Sequence, residues 1–265
     1  MKTIPAAGTT FAVLDKGTGP AILFVHGFPL DHSMWQAQIE SLERTHRIIA
    51  PDLRGFGKNA AADGTLTMEQ FADDLAAILD ALSVTGPVTY CGLSMGGYIA
   101  WQFVRRHRRR LGSLILCDTL ARADAPEAAA QRLKTAETIL AQGAEVMAKV
   151  MPTKLFADST LQHKPATVER IKQTIRNTAP SSIAAALRGM AARSDSTELL
   201  AKIDLPTLVI CGAEDKITTA EEMRKLATAI DEAEYAEVKN AGHMSPMEQP
   251  EAVNAAIRQF LAHHG

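Results

Sequence analysis

Val88-Thr89-Tyr90-Cys91-Gly92-Leu93-Ser94-Met95-Gly96-Gly97 is the stretch that decides how this chain folds. Val88–Cys91 is a short apolar run, as in strands buried on both faces. It leads at once into Gly-x-Ser-x-Gly, and Met95–His107 then carries a helical pattern. Strand, sharp turn and helix together form the setting of a nucleophile elbow. The turn is so tight that the residues two before and two after the serine must be small. Gly92 and Gly96 satisfy this, and Gly97 adds clearance. The turn pushes Ser94 Oγ out above the sheet edge. The helix N-terminus points at the same spot and favours a developing negative charge.

A serine hydroxyl needs a base to take its proton. Of the eight histidines, His32, His46, His107, His163, His263 and His264 lie in polar or charged surroundings and read as solvated. His243 sits in Asn-Ala-Gly-His-Met-Ser-Pro, a loop between the last strand pattern and the last helix pattern. That loop belongs at the sheet end where Ser94 emerges, so His243 is the expected general base. The base needs an orienting carboxylate. Asp215, in Cys-Gly-Ala-Glu-Asp-Lys just past the Thr207–Cys211 run, is favoured. Glu214 is one residue too early and would point elsewhere. Asp118, at the end of the preceding run, competes for the role; otherwise it is a cap or a loop hydrogen-bonding group.

Around this centre, short apolar runs alternate with helical segments. Ala21–Val25, Arg47–Ala50, Leu114–Cys117 and Thr207–Cys211 read as buried strands, and Tyr235–Val238 as a weaker one. Thr9–Leu14 reads as an edge or antiparallel strand ending at Gly17-Thr-Gly-Pro20. Helices are expected over Ser33–Leu42 with a serine cap, Thr67–Leu82 with Thr67 and Gln70 as a capping-box pattern, Thr219–Ala229 and Pro250–Ala262. Strand–helix alternation implies a mostly parallel, doubly wound α/β sheet. Between about 120 and 200 no strand pattern occurs. This stretch reads as three or four Ala-rich helices punctuated by Pro126, Gly143, Pro152, Pro165 and Pro180. The expected organisation is a core of 1–119 and 201–265 with a helical cap over 120–200.

Bulk composition narrows the function. The chain has 265 residues, 46% hydrophobic, with a formal net charge of -2. That suits one globular domain with an insertion. It gives no electrostatic reason for a nucleic-acid or membrane partner. The cationic run Arg105–Arg110 falls at a helix end and reads as a solvated complement to the helix dipole. Cys91, Cys117 and Cys211 lie in or at the ends of apolar runs, without metal-ligand spacing, and read as small buried hydrophobes in a reducing cytoplasm. No apolar run approaches the roughly 20 residues of a membrane span, and no secretory leader is evident. A monomer or homodimer acting on a small molecule is expected.

In chain order, Ser94, Asp215 and His243 resemble the α/β-hydrolase family. The likeness extends from His-Gly-Phe-Pro at 26–29, through Pro-Asp-Leu-Arg-Gly-Phe-Gly at 51–57, to Gly-His-Met-Ser-Pro-Met-Glu-Gln-Pro at 242–250. The resemblance implies a hydrolase fold with a cap and an acyl-enzyme mechanism that needs no metal or organic cofactor. It implies that the backbone N–H groups of Phe28 and Met95 form the oxyanion hole, and that His26 holds its loop. In some members with this topology the acid sits at the position of Asp118.

Two subgroups come closest. Gly-Leu-Ser-Met-Gly-Gly, Asp118-Thr-Leu-Ala and the Pro-Glu-x-x-x-x-Arg pattern at 126–132 resemble enol-lactonases of the 3-oxoadipate type. Phe28-Pro29 and Met95 resemble carboxylesterases and cofactor-free haloperoxidases, which act as perhydrolases. Dehalogenases carry aspartate where this chain has Ser94, which argues against halide displacement. The expected substrate is a small carboxylic ester or lactone; C–C bond hydrolysis on the same triad and a non-catalytic binding role are the alternatives. Leu120, Leu140, Met147, Val150, Met151, Leu155 and Phe156 are candidates to line an apolar pocket. With no obvious cationic clamp, neutral substrates are favoured. Arg122 and Arg132 are the nearest groups for a substrate carboxylate, though both read more simply as solvated surface.

Overall fold

The computed structural model describes residues 1–264. Its centre is an eight-stranded sheet of order β1-β2-β4-β3-β5-β6-β7-β8. The strands are β1 Lys2–Ala6, β2 Thr9–Lys16, β3 Ala21–Val25, β4 Arg47–Pro51, β5 Val88–Leu93, β6 Leu111–Cys117, β7 Thr207–Gly212 and β8 Glu234–Val238. β2 runs antiparallel to β1 and β4. From β4 to β8 every pairing is parallel. β1 has no counterpart in the strands read from the sequence. It is a short edge strand with exposed Lys2, Thr3 and Pro5, so it has no apolar run to reveal it.

Helices α1 Gln36–Leu42, α2 Met68–Ala81 and α3 Met95–His107 connect the first parallel strands. The crossover from β3 to β4 runs one way along the sheet, and those from β4 to β5 and β5 to β6 run the other. Right-handed connections running in opposite directions put their helices on opposite faces. α1 therefore covers one face, and α2 and α3 the other. Adjacent β3 and β5 thus send their chains to opposite sides, which opens a crevice at their carboxyl ends. Such a switch point is where open α/β sheets bind ligands.

The start of the first helical segment differs from expectation. A 3-10 turn, His32–Trp35, precedes α1, and its cap is Asp31, whose side chain accepts from Ser33 N–H. Thr67 does cap α2, accepting from Gln70 N–H at 3.1 Å.

Between β6 and β7 the described residues form no strand. The segment holds α4 Pro126–Gln142, α5 Glu145–Val150, α6 Pro152–Leu155, α7 Asp158–His163, α8 Pro165–Asn177, α9 Pro180–Ala191 and the single turn α10 Thr197–Leu200. This is more than the three or four helices expected. Proline opens α4, α6, α8 and α9 at the first helical position. There its missing N–H costs nothing and its fixed φ helps, so each proline starts a new short helix. α9 packs directly on the core. Leu66 N–H bonds Ala185 O at 3.0 Å, and the Gly189 Cα lies so close to the Leu66 carbonyl that a Cβ would overlap it.

After β7 come α11 Ala220–Thr228, α12 Ser245–Glu248 and α13 Pro250–His264. α11 opens with a full capping box between Thr219 and Glu222. Several cations of the run Arg105–Arg110 are paired rather than merely solvated. Arg106 bonds Asp73 at 2.6 Å, Arg108 bonds Asp204 at 2.7 Å, and Arg110 bonds Asp80. Cys91, Cys117 and Cys211 are buried free thiols. Among the described residues, no helix is long and apolar enough to cross a membrane.

Candidate active site

Ser94 stands between β5 and α3 with φ 54° and ψ -111°, a left-handed conformation that L-residues seldom adopt and that stores strain. The surrounding glycines make the turn possible. A Cβ at Gly92 would lie 2.6 Å from Gly96 O; at Gly96 it would strike Val25 O, and at Gly97 the Thr119 side chain. Thr119 Oγ1 donates to Ser94 O at 2.8 Å, and Ser94 N–H bonds Cys117 O at 3.0 Å. The elbow is thereby anchored to the end of β6, with Ser94 partly exposed.

The loop after β3 closes against the elbow. A Cβ at Gly27 would lie 3.5 Å from Ser94 Cβ. Neither Phe28 N–H nor Met95 N–H has an acceptor among the described residues. His26 is fully buried; its Nδ1 meets Gly27 O at 2.9 Å and its Nε2 accepts Leu53 N–H at 3.0 Å. Burial pushes its pKa down. The neutral ring therefore bridges the loops after β3 and β4.

His243, in the loop after β8, is 2% exposed, and its Nδ1 lies 2.8 Å from Asp215 Oδ2. A carboxylate can only accept, so this bond fixes the proton on Nδ1 and leaves the Nε2 lone pair free. Asp215 is held in turn by Ile217 N–H at 2.7 Å, Thr218 N–H at 3.0 Å and Thr218 Oγ1 at 2.5 Å. Burial alone would raise its pKa. The charge of His243 and the hydrogen bonds from His243, Thr218 and Ile217 outweigh burial and keep it below the ordinary aspartate value. Thr218 Oγ1 is also 3.4 Å from His243 Nδ1. This threonine was not among the expected site residues, although Asp-x-x-Thr at a loop start is a recognisable hydrogen-bonding pattern.

No hydrogen bond joins Ser94 Oγ to His243 among the described residues, although both stand at the carboxyl end of the sheet. Such bonds are often loose until substrate is bound. Glu214 is exposed. Asp118 is fully buried and bonds Gly212 N–H at 2.8 Å and Ser245 Oγ at 2.5 Å, with no bond to His243. Burial, then the charge of Asp215, pushes its pKa well above the usual carboxylate range.

A third buried carboxylate was not anticipated. Glu248 Oε1 accepts from the amides on both sides of His243, Gly242 at 2.8 Å and Met244 at 3.3 Å. Its Oε2 accepts Ala157 N–H, at the start of α7, at 2.8 Å. One carboxylate thus ties the histidine loop to the helical segment between β6 and β7.

A cavity of about 520 Å³ is lined by Phe28 together with Met147, Val150 and Met151 of the expected apolar set. Leu155 and Phe156 are instead buried, with their backbone against Gly242. Leu140 is 48% exposed, and Leu120 lines a separate cleft with Arg122. The cavity is not free of charge: Arg132 and Lys154 also line it. Arg122 is occupied by Glu222 at 2.7 Å.

Strained serine, helix N-terminus and a buried histidine–carboxylate pair define an α/β architecture of the nucleophile-elbow class. The alpha/beta hydrolase fold family model matches residues 20–250, and the chain belongs to that family. It is 29% identical to 3-oxoadipate enol-lactonase 2 of Acinetobacter baylyi over 95% of this chain and 92% of that protein. A thermophilic esterase from Thermogutta terrifontis, solved with malate bound, superposes with a TM-score of 0.96 at 45% identity, covering 100% of this chain and 99% of that one. The enol-lactonase from Burkholderia xenovorans LB400 superposes with a TM-score of 0.91 at 29% identity, covering 98% and 100%.

Proposed function

We propose that the protein is a serine hydrolase of small carboxylic esters or lactones. The observation that carries this reading is the strained Ser94 at a helix N-terminus, with His243 bonded to Asp215 at the same sheet end. Ser94 Oγ attacks the substrate carbonyl while His243 Nε2 takes its proton. The C–O bond to the leaving alcohol breaks, and His243 returns the proton to the alcohol. Water, activated by the same histidine, then releases the acid from the acyl-enzyme. Asp215 holds the imidazole in the tautomer this requires. The Phe28 and Met95 N–H groups take the oxyanion; losing one such donor typically costs about 3 kcal/mol.

In this reading residues 120–200 act as a cap that shapes the substrate cavity over the core. A lactone is a cyclic ester, so the likeness to enol-lactonases and to an esterase supports one chemistry rather than two. The three buried free cysteines fit a cytoplasmic enzyme working as a monomer or homodimer. The test is hydrolysis of a panel of p-nitrophenyl esters and lactones of graded size. Turnover of either class that vanishes in Ser94→Ala supports the reading. Turnover that survives Ser94→Ala contradicts it.

A further inference from the structure

Asp215 presents its two oxygens to different kinds of partner. Oδ1 accepts from two backbone amides, Ile217 N–H at 2.7 Å and Thr218 N–H at 3.0 Å. Oδ2 accepts from two side chains, His243 Nδ1–H at 2.8 Å and the Thr218 hydroxyl at 2.5 Å. The amides on Oδ1 fix where the carboxylate stands, and they do not depend on the Thr218 side chain. The hydroxyl does something different: it acts on the oxygen that faces the base.

Thr218 has no other acceptor for its hydroxyl proton. Its side chain is fully buried. Among the described residues its Oγ1 reaches Asp215 Oδ2 and, at 3.4 Å, His243 Nδ1. With the imidazole proton on Nδ1, only the carboxylate can accept. The residue is also held in place. Thr219, the next residue, caps α11 through a full capping box. The Thr218 carbonyl takes the Cys211 thiol at 3.5 Å, and a β-branched side chain has few χ1 choices.

Two donors on one oxygen divide its charge, so each is held more loosely than it would be alone. As Ser94 gives up its proton, the His243 ring becomes a cation, and Asp215 stabilises it. An oxygen partly committed to Thr218 stabilises that cation less than a bare one. The base is then free at lower pH and returns its proton to the leaving alcohol more readily.

On the hydrolase reading above, we infer that Thr218 is a positioning residue acting through Asp215: its hydroxyl shares Oδ2 with His243 Nδ1–H and so sets how tightly the histidine holds the proton taken from Ser94. The other ionisable groups around the pair come from several elements. Asp118, just past β6, and Cys211 of β7 lie within 4.8 Å of the Asp215 carboxylate. Glu248 of α12 binds the amides on both sides of His243, and Lys164 bonds the Glu248 carbonyl. Lys216, next to Asp215 in the chain, is turned to Asp158 at 2.7 Å. A change confined to the Thr218 side chain leaves all of these in place.

The test follows kcat/KM for p-nitrophenyl butanoate across the acid and neutral range in the native protein, Thr218→Val and Thr218→Ser. Valine keeps the shape and loses the hydroxyl; serine restores it. In Thr218→Val the acid limb of the profile should move to higher pH by about half a unit to one unit, a size in keeping with the loss of one hydrogen bond to a charged group. Thr218→Ser should bring it back. A threonine that only holds the fold would lower the rate at every pH and leave the limb in place. A second readout needs no turnover: the downfield proton resonance of His243 Nδ1–H should move further downfield in Thr218→Val, as its bond to Oδ2 tightens. Should Thr218→Val not fold, Thr218→Ala allows the same comparisons. A folded variant lacking the hydroxyl whose limb and resonance both match the native protein overturns the inference, as does a limb that moves to lower pH. If the native protein hydrolyses no ester, the hydrolase reading fails, and the resonance alone decides whether Thr218 and His243 share Oδ2.

Discussion

Asp118 and Asp215 hold carboxylates within 4.8 Å of each other beneath the site, yet only Asp215 bonds His243. Two buried like charges at that separation repel strongly, so the environments must differ. Asp215 has the imidazole and three hydrogen-bond donors from residues 217 and 218. Asp118 has only Gly212 N–H and Ser245 Oγ. Asp215→Asn should lower kcat by up to about ten-thousandfold, by favouring the wrong histidine tautomer. Asp118→Asn should cost less than about tenfold, since it touches neither the base nor the serine. Steady-state kinetics of both variants decide, and a larger loss in Asp118→Asn contradicts the assignment.

The same pair predicts a pH-dependent stability. The pKa of Asp118 is raised in the folded protein by burial and then by the charge of Asp215. The native state therefore keeps a proton that the unfolded chain releases from about pH 4 upward, and the group destabilises progressively as pH rises. Asn mimics the protonated acid without titrating. Asp118→Asn should thus gain on the unmodified protein between about pH 4.5 and about pH 8, by at most about 1.4 kcal/mol per pH unit. Urea unfolding at both pH values measures the gap. A constant gap means that Asp118 titrates alike in both states.

Glu248 is expected to matter for both stability and rate. Its removal strands the amides of Gly242, Met244 and Ala157 in a buried site. Glu248→Ala should cost about 3 kcal/mol, or about 6–12 °C in Tm. Below the melting range, kcat should fall more than KM rises, because the histidine loop loses its grip. Calorimetry and kinetics together check this. Unchanged kcat in a destabilised protein limits Glu248 to holding the fold.

Gly189 sets helix propensity against packing. In a helix interior Ala is favoured over Gly by about 1 kcal/mol. Here a Cβ would run into the Leu66 carbonyl, which is backbone and cannot step aside. Gly189→Ala should therefore destabilise by about 1–3 kcal/mol, as overpacking does. A Tm equal to or above that of the unmodified protein contradicts the close seating of α9 on the core.

What could be read from the sequence was mostly local. Ser94 needs a strand before it, a helix after it and small residues on either side, all within ten positions, and the structure has each of these. The parallel strands appear as apolar runs because both faces are covered; β1 does not, because its side chains are exposed. Asp31 as the cap before α1 was hidden by Ser33, an equally good capping type two residues on. The partners of Glu248 and of Arg132, which reads as solvated surface, were out of reach for another reason. Glu248 meets Ala157, 91 positions away, and Arg132 shares Asp124 with Arg193 beside a cavity bordered by Phe28. Helix periodicity gives no sign of such long-range company.

The central claim is that Ser94 is the nucleophile, activated by its elbow and by His243. An active-site-directed fluorophosphonate tests it most directly, because it reports covalent attack whatever the natural substrate is. Labelling of the native protein at Ser94, located by peptide mass spectrometry, with none in Ser94→Ala and far slower labelling in His243→Ala, is the predicted result. Labelling that persists in folded Ser94→Ala, or that maps to another residue, contradicts the account.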